Sequence, residues 1–495
     1  ERLPDRVGEL EDLFRKLFYD KRQITLGRLL WHRGGRACLP VFAYSPEGIL
    51  GQRLVTCGIR PQIEQEMARY KEYAPKGGIG TALVSPPAEM MHFAALAYDL
   101  HEADLEQAQT FEAFYRINKT AQIREVVRHF FQTTLAAWHQ EDRILEEARS
   151  PGQLYRERLG LTQDKVTPEE LQRRMQALAR EALSLGPTDI ELSLAELIVR
   201  LPNGHTVFCP NPLLHLHEAG EGQPVICRIT PGTLSGDNIL VDQEGHTWLT
   251  DFARAGPAPL LWDFVSLEAA IRFDLVDTAD LQALHDFETR LVEPARLNER
   301  LDAQDIDPEF RKALGSIQEI RHRAFSAVGA DIIPYYTGLF FHAVRRMADY
   351  TPELRHTRQE LAHPVHALLA AAMICDRITR MVDELSLKDS SLAAPRKVLE
   401  IDEANRQAWV EGRQVALTPT EFDVLLHLYN HRGQLCTRRS IVEEGLKSQY
   451  AENQQEASRI NTIMGRLRKK IEPDPDHPRY IITVRGQGYR LVPGE

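Results

Sequence analysis

The chain has 495 residues, 43% of them hydrophobic and 26% charged, with a formal net charge of −11. That length is too great for one core and calls for two or three globular domains of ordinary composition. The balance excludes a chain that coats nucleic acid along its whole length, and the longest apolar run, near HALLAAAMIC, is about half of what a membrane span requires. Six cysteines (Cys38, Cys57, Cys209, Cys227, Cys375 and Cys436) show no CxxC or other ligand-like pairing, which fits a reducing cytoplasm better than a disulfide framework or a zinc site. No signal peptide is visible, and a segment upstream of Glu1 stays open.

In chain order, the first feature is HRGGRAC, where Gly34 and Gly35 permit close backbone approach to a ligand or simply make a turn. RLVTCGIRPQIEQEMARYKEY reads as a strand followed by a helix. KGGIGT at 76–81 lacks the spacing of a P-loop and reads as a plain loop. His215 and His217 in LLHLHE alternate as strand neighbours do, with no third ligand at metal-binding spacing. In residues 229–268, NILVD and HTWLTDF are short β-rich runs around the turn Gln243-Glu244-Gly245. Asn238 thus precedes one strand and Asp251 follows the other, an oxygen-rich pair suited to Mg²⁺ carrying nucleotide phosphates, or else a turn residue and a cap. Trp248 and Trp262 read as core.

This segment resembles the catalytic stretch of aminoglycoside-phosphotransferase and choline-kinase-like proteins, and most of all the kinase-like ternary complex associated domain of bacterial conflict and signalling systems. The likeness extends over about residues 20–380, from DLFRKLFYDKRQITLGRLL through TFEAFYR, FCPNPLL and DFARAGPAPLLWDFVSLE to the helices IQEIRHRAF, YYTGLFFHAVRRM and HALLAAAMICDRI. It implies a two-lobed kinase-like fold over 1–385, with the N-lobe at about 20–100. It also implies a nucleotide site at Gly34, Gly35, Asn238 and Asp251, with Asn238 and Asp251 as Mg²⁺ ligands and Mg-nucleotide as the candidate cofactor. The departures decide the chemistry. Pro231-Gly232-Thr233 stands where those families place His-Gly-Asp, and Thr56 stands where a strand lysine would hold phosphates, leaving Glu64 or Glu66 without its cation. The resemblance therefore implies a pseudokinase with no catalytic residues.

SLKDSSLAAP at 386–395 reads as a linker. Residues 396–495 hold 16 Lys/Arg against 14 Asp/Glu, so the preceding residues carry the acidity, and nucleic-acid contact is expected only from the C-terminal module. There LTPTEFDVLLHLYNHRG offers Thr418 as N-cap, Pro419 at the first helical position and Glu421 closing a capping box. Thr437 caps a second, short helix. In SRINTIMGRLRKKI, helical spacing places Ile460, Met464, Leu467 and Ile471 on one face and Ser458, Arg459, Thr462, Arg466 and Lys469 on the other. RYIITVRGQGYRLV follows as a hairpin with a cationic tip.

Residues 396–493 resemble the C-terminal effector domain of OmpR/PhoB-type response regulators: a small leading sheet, the LTPTEFDVLLHL helix, a second helix, a recognition helix and a wing. The resemblance implies that Arg466 and the residues near Asn461, Thr462 and Ile463 face bases, that Arg468, Thr483 and Tyr489 hold phosphates, that Arg485 enters the minor groove, and that Arg459, Lys469 and Gly486 also belong to the DNA-binding surface. The fold class is α+β multidomain, a kinase-like domain followed by a winged helix. The expected function is a cytoplasmic, double-stranded-DNA-binding transcriptional regulator controlled by a degenerate kinase-like domain that senses a nucleotide, small ligand or protein partner. An NTPase, RNA polymerase and a second copy of the chain are the candidate protein partners. Two alternatives stay open: an atypical phosphotransferase tethered to DNA, and a DNA-binding adaptor subunit of an NTPase-driven assembly. No membrane role is expected.

Overall fold

The computed structural model describes all residues except 1–6, 49, 76–81, 101–102, 141–143, 163–166, 183–188, 217–218, 221–224, 353–355, 392–398, 404, 411–412, 452, 473, 476–477, 485–486 and 493–495. KGGIGT, His217, Arg485 and Gly486 therefore lie outside the described residues. The chain forms two compact units, one made of most residues up to Thr379 and the other of most residues from Arg380 onward.

In the first unit, α1 (Val7–Leu17) precedes an antiparallel sheet built from β1 (Gln23–Leu26), β2 (Trp31–Arg33), β3 (Arg36–Tyr44), β4 (Leu50–Ile59), β5 (Leu83–Val84), β6 (Ala88–Glu89) and β7 (Phe93–Asp99). The order is β1-β3-β4-β7-β5, with β2 on β3 and β6 on β7. Small and β-branched residues at alternate positions let α1 lie flat on it: Leu13 and Phe18 pack on Val41, Ala43, Val55, Ala95 and Ala97. This lobe thus begins with the helix at Val7, earlier than the sequence placed it. α2 (Arg60–Tyr73), with proline in its first turn, follows β4 directly and buries Ile63, Glu66 and Met67.

A larger lobe follows, with β8 (Gln109–Thr110), α3 (Phe111–Ile117), α4 (Thr120–His129), β9 (Ile144–Glu147), α5 (Pro151–Leu159), α6 (Pro168–Ala182) and the meander of β10 (Asp189–Leu192), β11 (Glu196–Arg200) and β12 (Thr206–Pro210). His215 ends a 3₁₀ turn, Pro212–His215, rather than lying on a strand, because Asn211 accepts a hydrogen bond from the Leu213 N–H and starts the turn. Then come β13 (Val225–Thr230), β14 (Ile239–Val241), β15 (Thr247–Leu249), β16 (Gly256–Pro259) and the helices α7 (Trp262–Ala270), α8 (Leu281–Val292), α9 (Pro308–Val328), α10 (Ile333–Ala348) and α11 (Arg358–Ser391). β14 and β15 pair antiparallel, so Asn238 and Asp251 flank a hairpin. The polar stretch read as a linker from 386 is still helix through Ser391. Buried charges cross-link the helices: Glu268 accepts from Arg321 at 2.8 and 3.0 Å and from the Tyr335 hydroxyl at 2.6 Å, while Arg272 bridges Glu268 and Glu288.

The second unit opens with the sheet of β17 (Leu399–Asp402), β18 (Gln407–Val410) and β19 (Arg413–Val415). α12 (Pro419–Asn430) starts on the capping box of Thr418 and Glu421. β20 (Cys436–Thr437) leads into α13 (Arg438–Ser440), capped by Thr437 and extended by a wider turn through Gly445. α14 (Gln454–Ile471) is capped by Asn453 and precedes β21 (Ile481–Val484) and β22 (Gly488–Leu491), which pair as the wing and extend to β20. One core joins Val424, Leu425, Leu428, Ile441, Ile460, Met464, Leu467 and Ile481.

Burial holds two histidines of the first unit neutral: His139 is pushed down to about 4 and His342 to about 3. An unfolded histidine takes up its proton near 6.5, so between these values the unfolded chain binds more protons and stability falls with falling pH. The contribution of these two histidines to the urea midpoint of the first unit's transition is expected to be constant above about pH 7 and to fall as the pH goes from about 6.5 to 4, opposed in part by Glu66, whose raised pKa favours the folded state as the pH falls from about 7. His342→Leu should flatten part of that slope.

Candidate functional site

Gly34 and Gly35 both have positive φ, 56° and 76°, and form a two-residue turn between Arg33 and Arg36, which face each other across β2 and β3. The turn's importance is the arginines on either side of it. Arg36 reaches Asp251 with two hydrogen bonds of 2.7 Å, one to each carboxylate oxygen, and Glu66 of α2 at 3.1 Å. Arg33 bonds Asp237 at 3.0 Å and approaches Asp251 at 3.5 Å. Glu66, wholly buried, also accepts from the Tyr98 hydroxyl and from the Phe252 N–H at 3.2 Å. Glu64 pairs instead with Arg60 at 2.6 Å, so Glu66 is the helix acid of the centre.

The electrostatics follow from this packing. Burial alone would lower the Arg36 pKa, but the hydrogen bonds and charge of Asp251 and the charge of Glu66 outweigh it and hold the guanidinium protonated. Burial works to raise Asp251, yet Arg36 and Arg33 bring it below its usual value. Glu66 keeps the penalty: burial and the nearby Asp251 charge push it up to about 7. Asp251 sits at φ 63°, a left-handed conformation that a non-glycine residue keeps only when its surroundings hold it. Here the Arg36 fork grips its carboxylate, and the following Phe252 is anchored by Glu66 and stacks on Trp138 at 5.8 Å.

Thr56 lies on β4, fully buried and paired across the sheet with Cys38 of β3. The cation that meets Glu66 is Arg36, at the start of the adjacent strand β3. Thr233 stands in a turn fixed by the Trp262 indole, which donates to the Gly232 carbonyl at 3.0 Å, and by Asn238, which donates to the Thr233 carbonyl at 3.0 Å. The Asn238 oxygen accepts from the Ser235 N–H at 2.9 Å. A Mg²⁺ ion needs oxygens that can close to about 2.0–2.1 Å. Both oxygens of Asp251 are held by Arg36, and both ends of the Asn238 amide by its own turn, so as arranged these residues do not fit a Mg²⁺–phosphate centre. The sequence reading missed Arg33 and Arg36; two arginines flanking a glycine pair in a chain without the strand lysine were the available signal.

In the second unit, α14 separates into two faces. Arg459, Asn461, Thr462, Arg466 and Lys469 are exposed, while Ile460, Met464, Leu467 and Ile471 are at most 2% exposed. Ile463 is a correction: it is 7% exposed and belongs to the core, because its position follows Ile460 and precedes Leu467 on the apolar stripe. Tyr489 is also buried, at 3% exposure, with its hydroxyl on the Asn461 side-chain oxygen at 2.6 Å. Arg468 is half-buried and clamps the wing, donating to the Ile481 carbonyl at 2.7 and 3.0 Å and to the Thr483 hydroxyl at 2.6 Å. Burial lowers its pKa. Lys470 ties the helix to the start of α12 through Glu421 at 2.6 Å and the Ala416 carbonyl at 2.9 Å. Arg459 pairs with Glu456 at 2.8 Å, and Thr462 donates to the Ser458 carbonyl at 2.8 Å. Among the described residues, Arg466 and Lys469 make no ion pair, leaving two cations directed outward beside Asn461 and Thr462.

Residues 412–491 match the family described as "Transcriptional regulatory protein, C terminal". That segment carries the OmpR/PhoB-type winged-helix domain. The transcriptional regulatory protein KdpE of Mycobacterium tuberculosis is 36% identical over 91 residues, 18% of this chain and 39% of KdpE. The chain thus spans well under half the length of the curated relatives it matches. The DNA-binding domain of Klebsiella pneumoniae RstA, solved in complex with the RstA box, is 32% identical, covering 20% of this chain and 96% of that one, with a TM-score of 0.19. A thermostable variant of the aminoglycoside phosphotransferase APH(4)-Ia, in ternary complex with ADP and hygromycin B, covers 75% of this chain and 98% of its own at 10% identity and a TM-score of 0.37.

Removing the Arg36 guanidinium should leave Glu66 buried without a cation and Asp251 with Arg33 at 3.5 Å in place of a bidentate pair. Arg36→Ala is expected to lower the stability of the first unit by about 3–5 kcal/mol, measured by urea unfolding, with part of the loss recovered by adding Asp251→Asn. In the second unit, Arg468→Ala should free the wing and cost about 1–3 kcal/mol, the penalty of leaving the Ile481 carbonyl and the hydroxyl of Thr483 without their donor, as read from the same measurement.

Proposed function

We propose that this protein is a DNA-binding transcriptional regulator whose winged helix reads duplex DNA and whose kinase-like unit is a ligand- or partner-sensing domain without phosphotransfer activity. The observation that carries the first half is the outward stripe of α14, where Arg459, Asn461, Thr462, Arg466 and Lys469 share one face opposite a wholly buried one. A helix of this form fits the major groove, with Arg466 able to form a fork on a guanine edge and Lys469 to reach phosphate. Asn461, oriented by Tyr489, presents its remaining amide donors on the same face.

The second half rests on Thr233 and on the engagement of Asp251 by Arg36. Phosphoryl transfer depends on positioning and charge stabilisation, and a threonine cannot act as the base that orients an attacking hydroxyl. An anionic ligand of this unit would meet Arg33 and Arg36 before any metal. Regulation of DNA binding then requires that the ligand or partner have different affinities for two states of the chain.

Fluorescence anisotropy of the full chain on DNA selected from a random pool tests the DNA-reading half of the proposal. Arg466→Ala is expected to reduce discrimination between selected and scrambled duplexes by about 1–3 kcal/mol, and Lys469→Ala to weaken all duplexes alike while making the salt dependence shallower by about one unit. Equal affinity of both variants and the parent on selected and scrambled DNA would remove α14 as the reader. Nucleotide turnover above background that is lost in Asp251→Asn would instead place an enzyme in the first unit.

A further inference from the structure

The fold brings together three residues that the sequence leaves apart. His427 and His431 lie one turn apart at the end of α12, and Cys436 opens β20; one ligand atom from each lies within 4.8 Å of the others. The imidazole rings have their centroids 4.5 Å apart. His427 and Cys436 are 7% and 3% exposed, and His431 is half-buried, so the group is shielded but open on one side.

The hydrogen bonds around the cluster fix which nitrogens are available. His431 Nδ1 lies 2.9 Å from the His427 carbonyl, which can only accept, so Nδ1 carries the proton and Nε2 keeps its lone pair. His427 Nε2 lies 3.3 Å from the Ser440 hydroxyl, whose own proton goes to the Thr437 carbonyl at 3.2 Å. Ser440 therefore accepts, His427 donates from Nε2, and His427 Nδ1 keeps its lone pair. Each imidazole thus has one N–H held by the protein and, among the described residues, one imine nitrogen without a hydrogen-bond partner, the arrangement by which outer-sphere groups orient metal-ligating histidines. The Cys436 thiol forms no disulfide.

We propose that His427, His431 and Cys436 form a transition-metal site in the winged-helix unit, taking a Zn²⁺-class divalent cation through two imidazole nitrogens and one thiolate. Two nitrogens and a thiolate suit a tetrahedral borderline-soft ion, with Zn–N of about 2.0–2.1 Å and Zn–S of about 2.3 Å. Ligand atoms of such an ion sit roughly 3.3–3.7 Å apart, so the present spacing closes by small side-chain rotations. The fourth position is open to water. The thiol proton leaves to solvent as the sulfur binds, and no oxidation is involved. An ion there would tie the end of α12 to β20, which pairs with β22 at Cys436 and Tyr489, and Tyr489 in turn holds Asn461 of α14.

The test is titration of the reduced full-length chain with Co²⁺, followed by absorbance. The expected result is one equivalent bound, with a near-ultraviolet thiolate-to-cobalt charge-transfer band and tetrahedral visible bands, both removed by Zn²⁺. Cys436→Ser should lose the charge-transfer band, and His431→Gln, at the half-buried helix end, should weaken binding about tenfold or more. Circular dichroism of His431→Gln should match the parent. Should Cys436→Ser fail to fold, His431→Gln alone decides the matter. No band in the parent, a charge-transfer band that persists in folded Cys436→Ser, or unchanged affinity in His431→Gln would overturn the proposal.

Discussion

The first unit is governed by the need to neutralise two carboxylates brought together in its interior. Glu66 comes from α2 and Asp251 from the segment after β15, and each would be costly to bury ionised and alone. Arg36 resolves this by lying between them, with two hydrogen bonds to Asp251 and one to Glu66. Because Thr56 leaves the neighbouring strand without a charge, the cation must come from elsewhere in the sheet, and the tight Gly34–Gly35 turn delivers it at the first residue of β3. The grip of Arg36 on the left-handed Asp251 follows from that placement, while burial and the nearby Asp251 charge raise the pKa of Glu66 against the lowering pull of Arg36.

The same interaction also fixes the state of the Asp251 carboxylate. A strand lysine leaves an acidic residue free to hold a metal, whereas a guanidinium fork occupies both oxygens of its partner. The centre is thus closed by its own side chains.

In the second unit the governing constraint is geometric. α14 completes a core and presents an exposed polar face at once, and polar groups near the boundary between the two are held by hydrogen bonds. Arg468 on the Ile481 carbonyl, Lys470 on Glu421 and Tyr489 on Asn461 hold it from three sides. They fix the helix's rotation and thereby decide which side chains face outward.

Local patterns were enough to determine much of this. The capping box at Thr418 and Glu421, the short helix after Thr437, the amphipathic stripe of α14, the wing hairpin and the strands flanked by Asn238 and Asp251 are set by contacts between near neighbours, and each is legible in the sequence. The boundary residues were not. Ile463 read as outward-facing until the width of the core was known, and the engagement of Arg468 with the wing and of Tyr489 with Asn461 shows only in the packed unit. Arg36 found Glu66 and Asp251 across 30 and 215 residues of chain. Hydrogen-bonding spacing along a chain reports a residue's neighbours within a turn or two; which buried charge meets which partner is decided by tertiary packing, because only there does the cost of leaving a charge alone select among distant candidates.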